Sequence, residues 1–296
     1  MKKLSIMLFL LFTYMLITAD VSKNLVAYYP FSGDANDKSG NLYDGIAYDT
    51  ILINDKDGNP NSAYQFGINK YIKLPNNEDF NITQTLTVSA WIYLNTESSA
   101  WQSVICKGNT SSMSSPYALL IRNMKITLLL NRNEFRSSVT VPANQWVHIA
   151  VTWNHNTIKF YLNGVLDTSQ SYFSYDLNVI DDNCVIGKDA PGATEWFDGN
   201  LDEILIYNRA LSETEIQTLY NGDFLLAPKN VQISTDNSNV TISWNPVYNA
   251  TSYKIYSSEN PNSNFIEDNS GILNQESWET TISTGKKFYR ISAIRQ

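Results

Sequence analysis

Between Leu25 and Tyr207, apolar and polar positions alternate in short runs broken by clusters of Asn, Gly, Ser and Asp, and almost nowhere does a helical period appear. Alternation sends successive side chains to opposite faces of a strand, so many short runs of this kind predict a sandwich or jelly roll. In Leu86-Thr87-Val88-Ser89-Ala90-Trp91-Ile92-Tyr93-Leu94 the aliphatic residues take every second place. One face of that strand is therefore core, and the other presents Thr87, Ser89, Trp91 and Tyr93. Trp146-Val147-His148-Ile149-Ala150-Val151-Thr152-Trp153 follows the same rule. Ile158-Lys159-Phe160-Tyr161-Leu162 then reaches Asn163-Gly164 before Val165-Leu166, which predicts a hairpin with a type I′ turn.

The alternation ends in a segment of mixed character, residues 199 to 222. Ile204 and Ile206 alternate with Leu205 and Tyr207 as a buried strand requires, and Asn208 to Ala210 breaks the pattern. Ser212 stands three residues ahead of Glu215, the spacing of a capping box, with Leu211 and Ile216 at the two staple positions. A helix of about two turns is predicted from Ser212, with Ile216, Leu219 and Tyr220 on its apolar face and Asn221-Gly222 as its left-handed stop.

A closing strand carrying Asp202-Glu203, then Tyr207-Asn208-Arg209-Ala210-Leu211-Ser212 and a capped helical turn, resembles the end of laminin-G-like domains of the concanavalin A-like jelly-roll superfamily. Tyr29-Pro30-Phe31 ahead of Asp37-Lys38-Ser39-Gly40-Asn41 and Gly45 resembles their opening, and the Trp146 to Leu166 hairpin region their centre. The resemblance covers residues 24–223. Past Ala227-Pro228 the runs Val231-Gln232-Ile233, Val240 to Trp244, Tyr253 to Tyr256 and Phe288 to Ala293 again alternate at sandwich spacing. Residues 228–296 resemble a fibronectin type III domain with Trp244 as its core tryptophan, stopping at Gln296 where that family turns into its last strand. The expected fold is all-β: a jelly-roll sandwich followed by a smaller fibronectin type III-like sandwich.

With 43% apolar and 12% aromatic residues, the chain can build two cores. Its net charge of -8 disfavours nucleic acid as a partner. Lys2-Lys3, an apolar run from Leu4 to Ile17 and the small pair Thr18-Ala19 match a secretory signal peptide over residues 1–19, with an apolar run too short for a bilayer span. Export without membrane insertion is the expectation, to the outside of the cell or its surface. Cys106 and Cys184 both lie in strand-like runs, and a disulfide or two buried thiols explains them equally.

In laminin-G-like relatives a structural calcium ion often ties the first loop to the last strand, and the resemblance puts Asp37, Asn41 and Asp202 at those positions. Calcium takes six to eight hard oxygen ligands, so an Asp- and Asn-rich loop suits it; the same residues also make metal-free turns. His148 and His155 have no Cys or Glu at zinc spacing and read as structural and loop residues. Trp101, Tyr172 and Trp196 lie in polar loops, as does Tyr175, and Trp101, Tyr172 and Trp196 are the ligand-binding candidates, because aromatic rings stack on the apolar faces of sugars. Glu195, Asp198, Asp202 and Glu203 form an acidic cluster, but without the spacing of paired glycosidase carboxylates, and no Gly-x-Ser-x-Gly elbow occurs. The expectation is a secreted or cell-surface module that binds carbohydrate without catalysis. The alternatives are a protein-binding adhesion or structural protein and, behind it, a glycoside hydrolase.

Overall fold

A computed structural model describes residues 20–108, 115–131, 133–172, 176–189, 195–222, 224–236, 238–262, 265–281 and 287–295. The expected signal peptide and Tyr175 lie outside these residues.

The first unit is a sandwich of two antiparallel sheets. The eight-stranded sheet runs β13 (Val165–Ser171), β12 (Thr157–Leu162), β11 (Trp146–Trp153), β6 (Leu86–Leu94), β15 (Gly199–Tyr207), β4 (Ala63–Phe66) and β3 (Ile51–Ile53), and β1 (Leu25–Tyr29) also pairs with β15. The seven-stranded sheet runs β10 (Asn133–Arg136), β9 (Lys125–Leu130), β8 (Tyr117–Arg122), β7 (Gln102–Lys107), β14 (Cys184–Ile186), β5 (Tyr71–Lys73) and β2 (Ile46–Tyr48). The alternation read from β6 and β11 sets the core: Val88, Ala90, Ile92 and Leu94 meet Ile149 and Val151 and, from the facing sheet, Leu119, Ile121, Leu128 and Ile186. Each of these valine, leucine and isoleucine side chains contributes roughly 1.5–3 kcal/mol by leaving water. At the predicted hairpin Asn163 and Gly164 both have positive φ, 49° and 75°, as a type I′ turn requires.

The helix α1 (Glu213–Asn221) has its predicted caps. Ser212 accepts from the Glu215 amide while Glu215 accepts from the Ser212 amide, and Gly222 closes it in the left-handed region. Its apolar face, Ile216 and Leu219, covers the outer face of the eight-stranded sheet with Leu226, packing on Tyr28, Ala150, Tyr161, Leu205 and Tyr207. The outward face of β6 is consequently not a solvent face throughout. Thr87 and Ser89 are fully buried, Thr87 bonded to the Arg209 carbonyl and the Leu211 amide and Ser89 to His148. The alternation could not show this second layer, because strand periodicity separates two faces without saying what covers either.

A second, smaller unit follows Val231. One sheet runs β16 (Gln232–Thr235), β17 (Asn239–Ser243), β21 (Ser277–Thr281) and β20 (Ile272–Leu273); the other runs β19 (Ile266–Glu267), β18 (Ser252–Ser258) and β22 (Phe288–Ile294). Ile242, Trp244, Ile255 and Trp278 form its core, with Trp244 only 4% exposed. It sits on the first unit through Tyr248, whose ring lies edge-on to Tyr28 at 5.9 Å and whose hydroxyl bonds Ser32. Among the described residues no helix is long and apolar enough to cross a membrane.

The two cysteines are free and sit on opposite faces of one sheet. Val185 is the ladder partner of Cys106, so Cys184 points the other way, into the main core, while Cys106 packs outward with Ala118 and Leu120. Adjacent strands thus bring the backbones together and the sulfurs apart, which resolves the choice left open by the sequence. Burial pushes the Cys184 thiol up to about 12 and Cys106 well above its ordinary value. Near neutral pH the native protein should therefore leave a thiol reagent unreacted, two thiols should titrate once it is unfolded in denaturant, and reductant should not lower Tm. Recovery of no thiols under denaturing, non-reducing conditions would contradict this arrangement.

Candidate functional site

Two surfaces of the first unit bring chemistry-bearing residues together. The first is a strip of rings on the outer face of the seven-stranded sheet. Tyr48 on β2 is the ladder partner of Tyr71 on β5, and the rings stack at 4.6 Å and 11°. Trp196 lies 6.3 Å beyond Tyr71, and the Lys188 ammonium stands 4.4 Å from the Tyr71 centroid and 4.8 Å from that of Trp196. Antiparallel pairing opposes the two tyrosines, and Gly187 permits the turn that carries Lys188. Gly187 has φ +82°, and a Cβ there would come within 2.1 Å of the Phe66 ring.

The second is a cleft of about 500 Å³ on the outer face of the eight-stranded sheet, walled by the end of α1, residues 224–226, the 55–59 loop and Tyr248. His148, Trp91 and Asp202 are successive ladder partners across β11, β6 and β15 and so line one row of its floor. The Trp91 ring is held between Tyr220, near-parallel at 5.6 Å, and His148, edge-on at 5.6 Å. Glu203 joins Asp202 in the cleft because β15 bulges there: three steps from Asp202 to Leu205 oppose two from Trp91 to Ser89, and Glu203 has φ +48°. In a regular strand neighbouring side chains point to opposite faces; the bulge turns both carboxylates to one side, at a cost of about 1–2 kcal/mol for an L residue in that region.

Burial, then the charge of Glu203, holds the Asp202 carboxyl well above the usual carboxylate range. Burial pushes Glu203 up to about 7, against the pull of the Tyr28 hydroxyl, which donates to Glu203 Oε2 at 2.5 Å, and of the Lys56 ammonium. His148 donates to or accepts from Ser89 Oγ through Nε2 at 2.8 Å, and burial lowers it to about 3, so it is neutral.

The residues expected to hold calcium do not converge. Asp37 is buried and its carboxylate accepts from the Tyr28, Ser39 and Tyr43 amides and the Ser39 hydroxyl. Asn41 turns its amide NH2 to the carbonyls of Leu25 and Val26 and its oxygen to the Lys229 ammonium at 2.8 Å. Asp202 belongs to the cleft instead. Asp37 and Asn41 are thus a loop brace whose acceptors are taken and whose cation is a lysine, and this trio does not fit calcium. Among the described residues no group of three or more His, Cys, Asp and Glu side chains could hold a metal ion.

The expected ligand rings also separate. Tyr172 packs on Phe135 at 4.5 Å and accepts from Asn133, turned back onto the rim of β10. Trp101 lies under the Arg122 guanidinium at 4.0 Å and against the outward cluster of Cys106 and Leu120. Trp196 alone joins a larger aromatic group. Sequence reasoning missed Tyr48 and Tyr71, because their three-residue strands carry too short a pattern to be paired, and missed Trp91 and Tyr28 as cleft residues. The Asp202-Glu203 doublet in an apolar strand was the one visible sign of the cleft.

Because Glu203 keeps its proton in the folded state to a higher pH than when unfolded, folding binds a proton between the ordinary carboxylate range and about pH 7. Stability should fall as pH rises through that window, and Asp202, raised by the same burial, adds to the fall. Glu203→Gln, which can still accept from Tyr28, should flatten the fall and stabilise the protein at pH 8 by on the order of 1–3 kcal/mol. Urea melts of both proteins from pH 4.5 to 8 check this, and parallel stability profiles would refute it.

Comparison with known proteins places these surfaces on a known scaffold. Human adhesion G-protein coupled receptor D1 is 34% identical over 95 residues, 31% of this chain; the chain spans only 11% of that relative's length. Among solved structures, the receptor binding domain of botulinum neurotoxin C/D mosaic serotype matches with a TM-score of 0.55 at 17% identity, over 91% of this chain and 73% of that one. The binding domain of Paraclostridial Mosquitocidal Protein 1 matches with a TM-score of 0.55 at 16% identity, over 84% of this chain and 74% of that one. At such identity these two show the fold alone. The family described as the concanavalin A-like lectin/glucanases superfamily matches residues 66–217, from β4 through the closing strand β15 into α1, and the chain belongs to that superfamily.

Proposed function

We propose that the protein is an exported, non-catalytic module that recognises carbohydrate through the strip of Tyr48, Tyr71 and Trp196. The strip carries this reading: three neighbouring rings on one sheet face, Tyr48 partly open to solvent, with a lysine ammonium above two of them. Tyr48 stacked on Tyr71, with Trp196 beside them, leaves exposed apolar ring area against which the C–H groups of a sugar can pack, and the ammonium donates to its hydroxyls. Trp101, on the same face of the sheet, extends the candidate surface toward β8. The names of the relatives support recognition over catalysis, since one is an adhesion receptor and two are binding domains.

The smaller unit supports the fibronectin type III-like reading by its strand order, β16-β17-β21 against β19-β18-β22 about a tryptophan core. Its strand β22 has only β18 beside it among the described strands, which favours a second reading in which a surface protein docks along that edge.

A glycan array probed with the parent protein should show binding, and Tyr71→Ala or Trp196→Ala should each weaken it about three- to tenfold, the worth of one aromatic contact. Tyr172→Ala should leave binding unchanged. Glycan binding insensitive to both strip substitutions would remove the strip from the site, and an array silent for the parent would move the function to protein recognition.

A further inference from the structure

The cleft beneath α1 is separate from the aromatic strip and has a chemistry of its own. Asp55 is occupied with its loop, accepting from the amides of Asp57 and Asn59 and the Asn59 side chain. Asp202 and Glu203 are committed only in part. Asp202 accepts from the Glu203 amide and Glu203 from Tyr28, one oxygen each. His148 lines the same cleft, is 1% exposed and neutral, and among the described residues its Nδ1 has no hydrogen-bond partner. Two carboxylates, a buried nitrogen in want of a partner and the face of Trp91 thus surround one space.

The fold already sets a cation there. The Lys56 ammonium lies 5.1 Å from the Trp91 centroid, pairs with Asp57 and eases the ionisation of both Asp202 and Glu203. It is borne on a loop that turns at Gly58, φ +87°, with open space around it. A lysine on such a loop is a tethered occupant that a free cation of like chemistry can replace. An indole face attracts a diffuse organic cation, and among the described residues no group of three or more His, Cys, Asp and Glu side chains is placed to hold a metal ion.

We propose that this cleft binds a ligand bearing an alkylammonium group, seated over Trp91 against Asp202 and Glu203, with Lys56 as the built-in competitor it displaces.

The test is a titration of the full chain with tetramethylammonium chloride, followed by the indole N–H resonances of its seven tryptophans, with sodium chloride at equal concentration as reference. Trp91→Phe identifies the reporting resonance. The Trp91 signal should shift and saturate with tetramethylammonium and not with sodium. Lys56→Ala, a change in the 55–59 loop outside both cores, should tighten binding about two- to fivefold, the worth of one cation–π contact. At pH 8, above the value of about 7 at which Glu203 ionises, Glu203→Gln should abolish saturation while the other indole signals stay in place. A response linear and equal for both salts, in the parent and in Lys56→Ala, would overturn the proposal. So would weaker binding in Lys56→Ala, or saturation by methyl α-glucoside and not by tetramethylammonium. Sugar binding at the strip is read at Trp196, so either site can fail without the other.

Discussion

The central strands of the eight-stranded sheet, β1, β6, β11 and β15, are largely buried on both faces, and most of the molecule follows from that. The sheet's inner face packs on the seven-stranded sheet to make the main core, as β-sandwiches do. Its outer face is closed by α1, by Leu226 and by Val247 and Tyr248 of the second unit. Polar side chains that an ordinary outward face would leave in water therefore need protein partners. Thr87 ties to the chain entering α1, and Ser89 ties to His148. Where the cover stops short a cleft remains, and carboxylates within it hold their protons to unusual pH because water reaches them poorly.

The bulge at Glu203 is the second constraint. The closing strand has to satisfy two neighbours in turn, pairing with β4 through residues 199–201 and with β1 through residues 204–207. The extra residue falls between those two pairings, while β6 runs unbroken along the other side. A left-handed glutamate in a strand is a local departure from backbone preference, and in this fold it has a visible outcome: Asp202 and Glu203 face one space with Tyr28 and Trp91. The same junction seats the second unit, since Tyr28 also meets Phe224 and Tyr248.

Asp37 and Asn41 show how one set of residue types serves two chemistries. Oxygen-rich loops read as calcium sites because carboxylates and amides are hard donors. In this fold backbone amides and a lysine from beyond the first unit claim those oxygens first. A loop braced by N–H donors and one ammonium has the same sequence signature as one braced by an ion.

The amino-acid sequence by itself determined the strands β6, β11, β12 and β15, the Asn163-Gly164 turn, the capping box of Ser212 and Glu215 and the membership of Val88, Ile92, Ile149 and Val151 in the core. Each of these depends on neighbours a few residues apart, so periodicity and cap chemistry carry them. Tertiary structure alone decided that Tyr48 meets Tyr71, that Cys106 and Cys184 face apart, that Tyr172 folds onto Phe135 and that Asp202 leaves Asp37 for Glu203 and Trp91. These outcomes turn on register between distant strands and on which faces a helix and a second unit cover. A shift of one residue in register sends a side chain to the opposite face, and no local pattern records that choice.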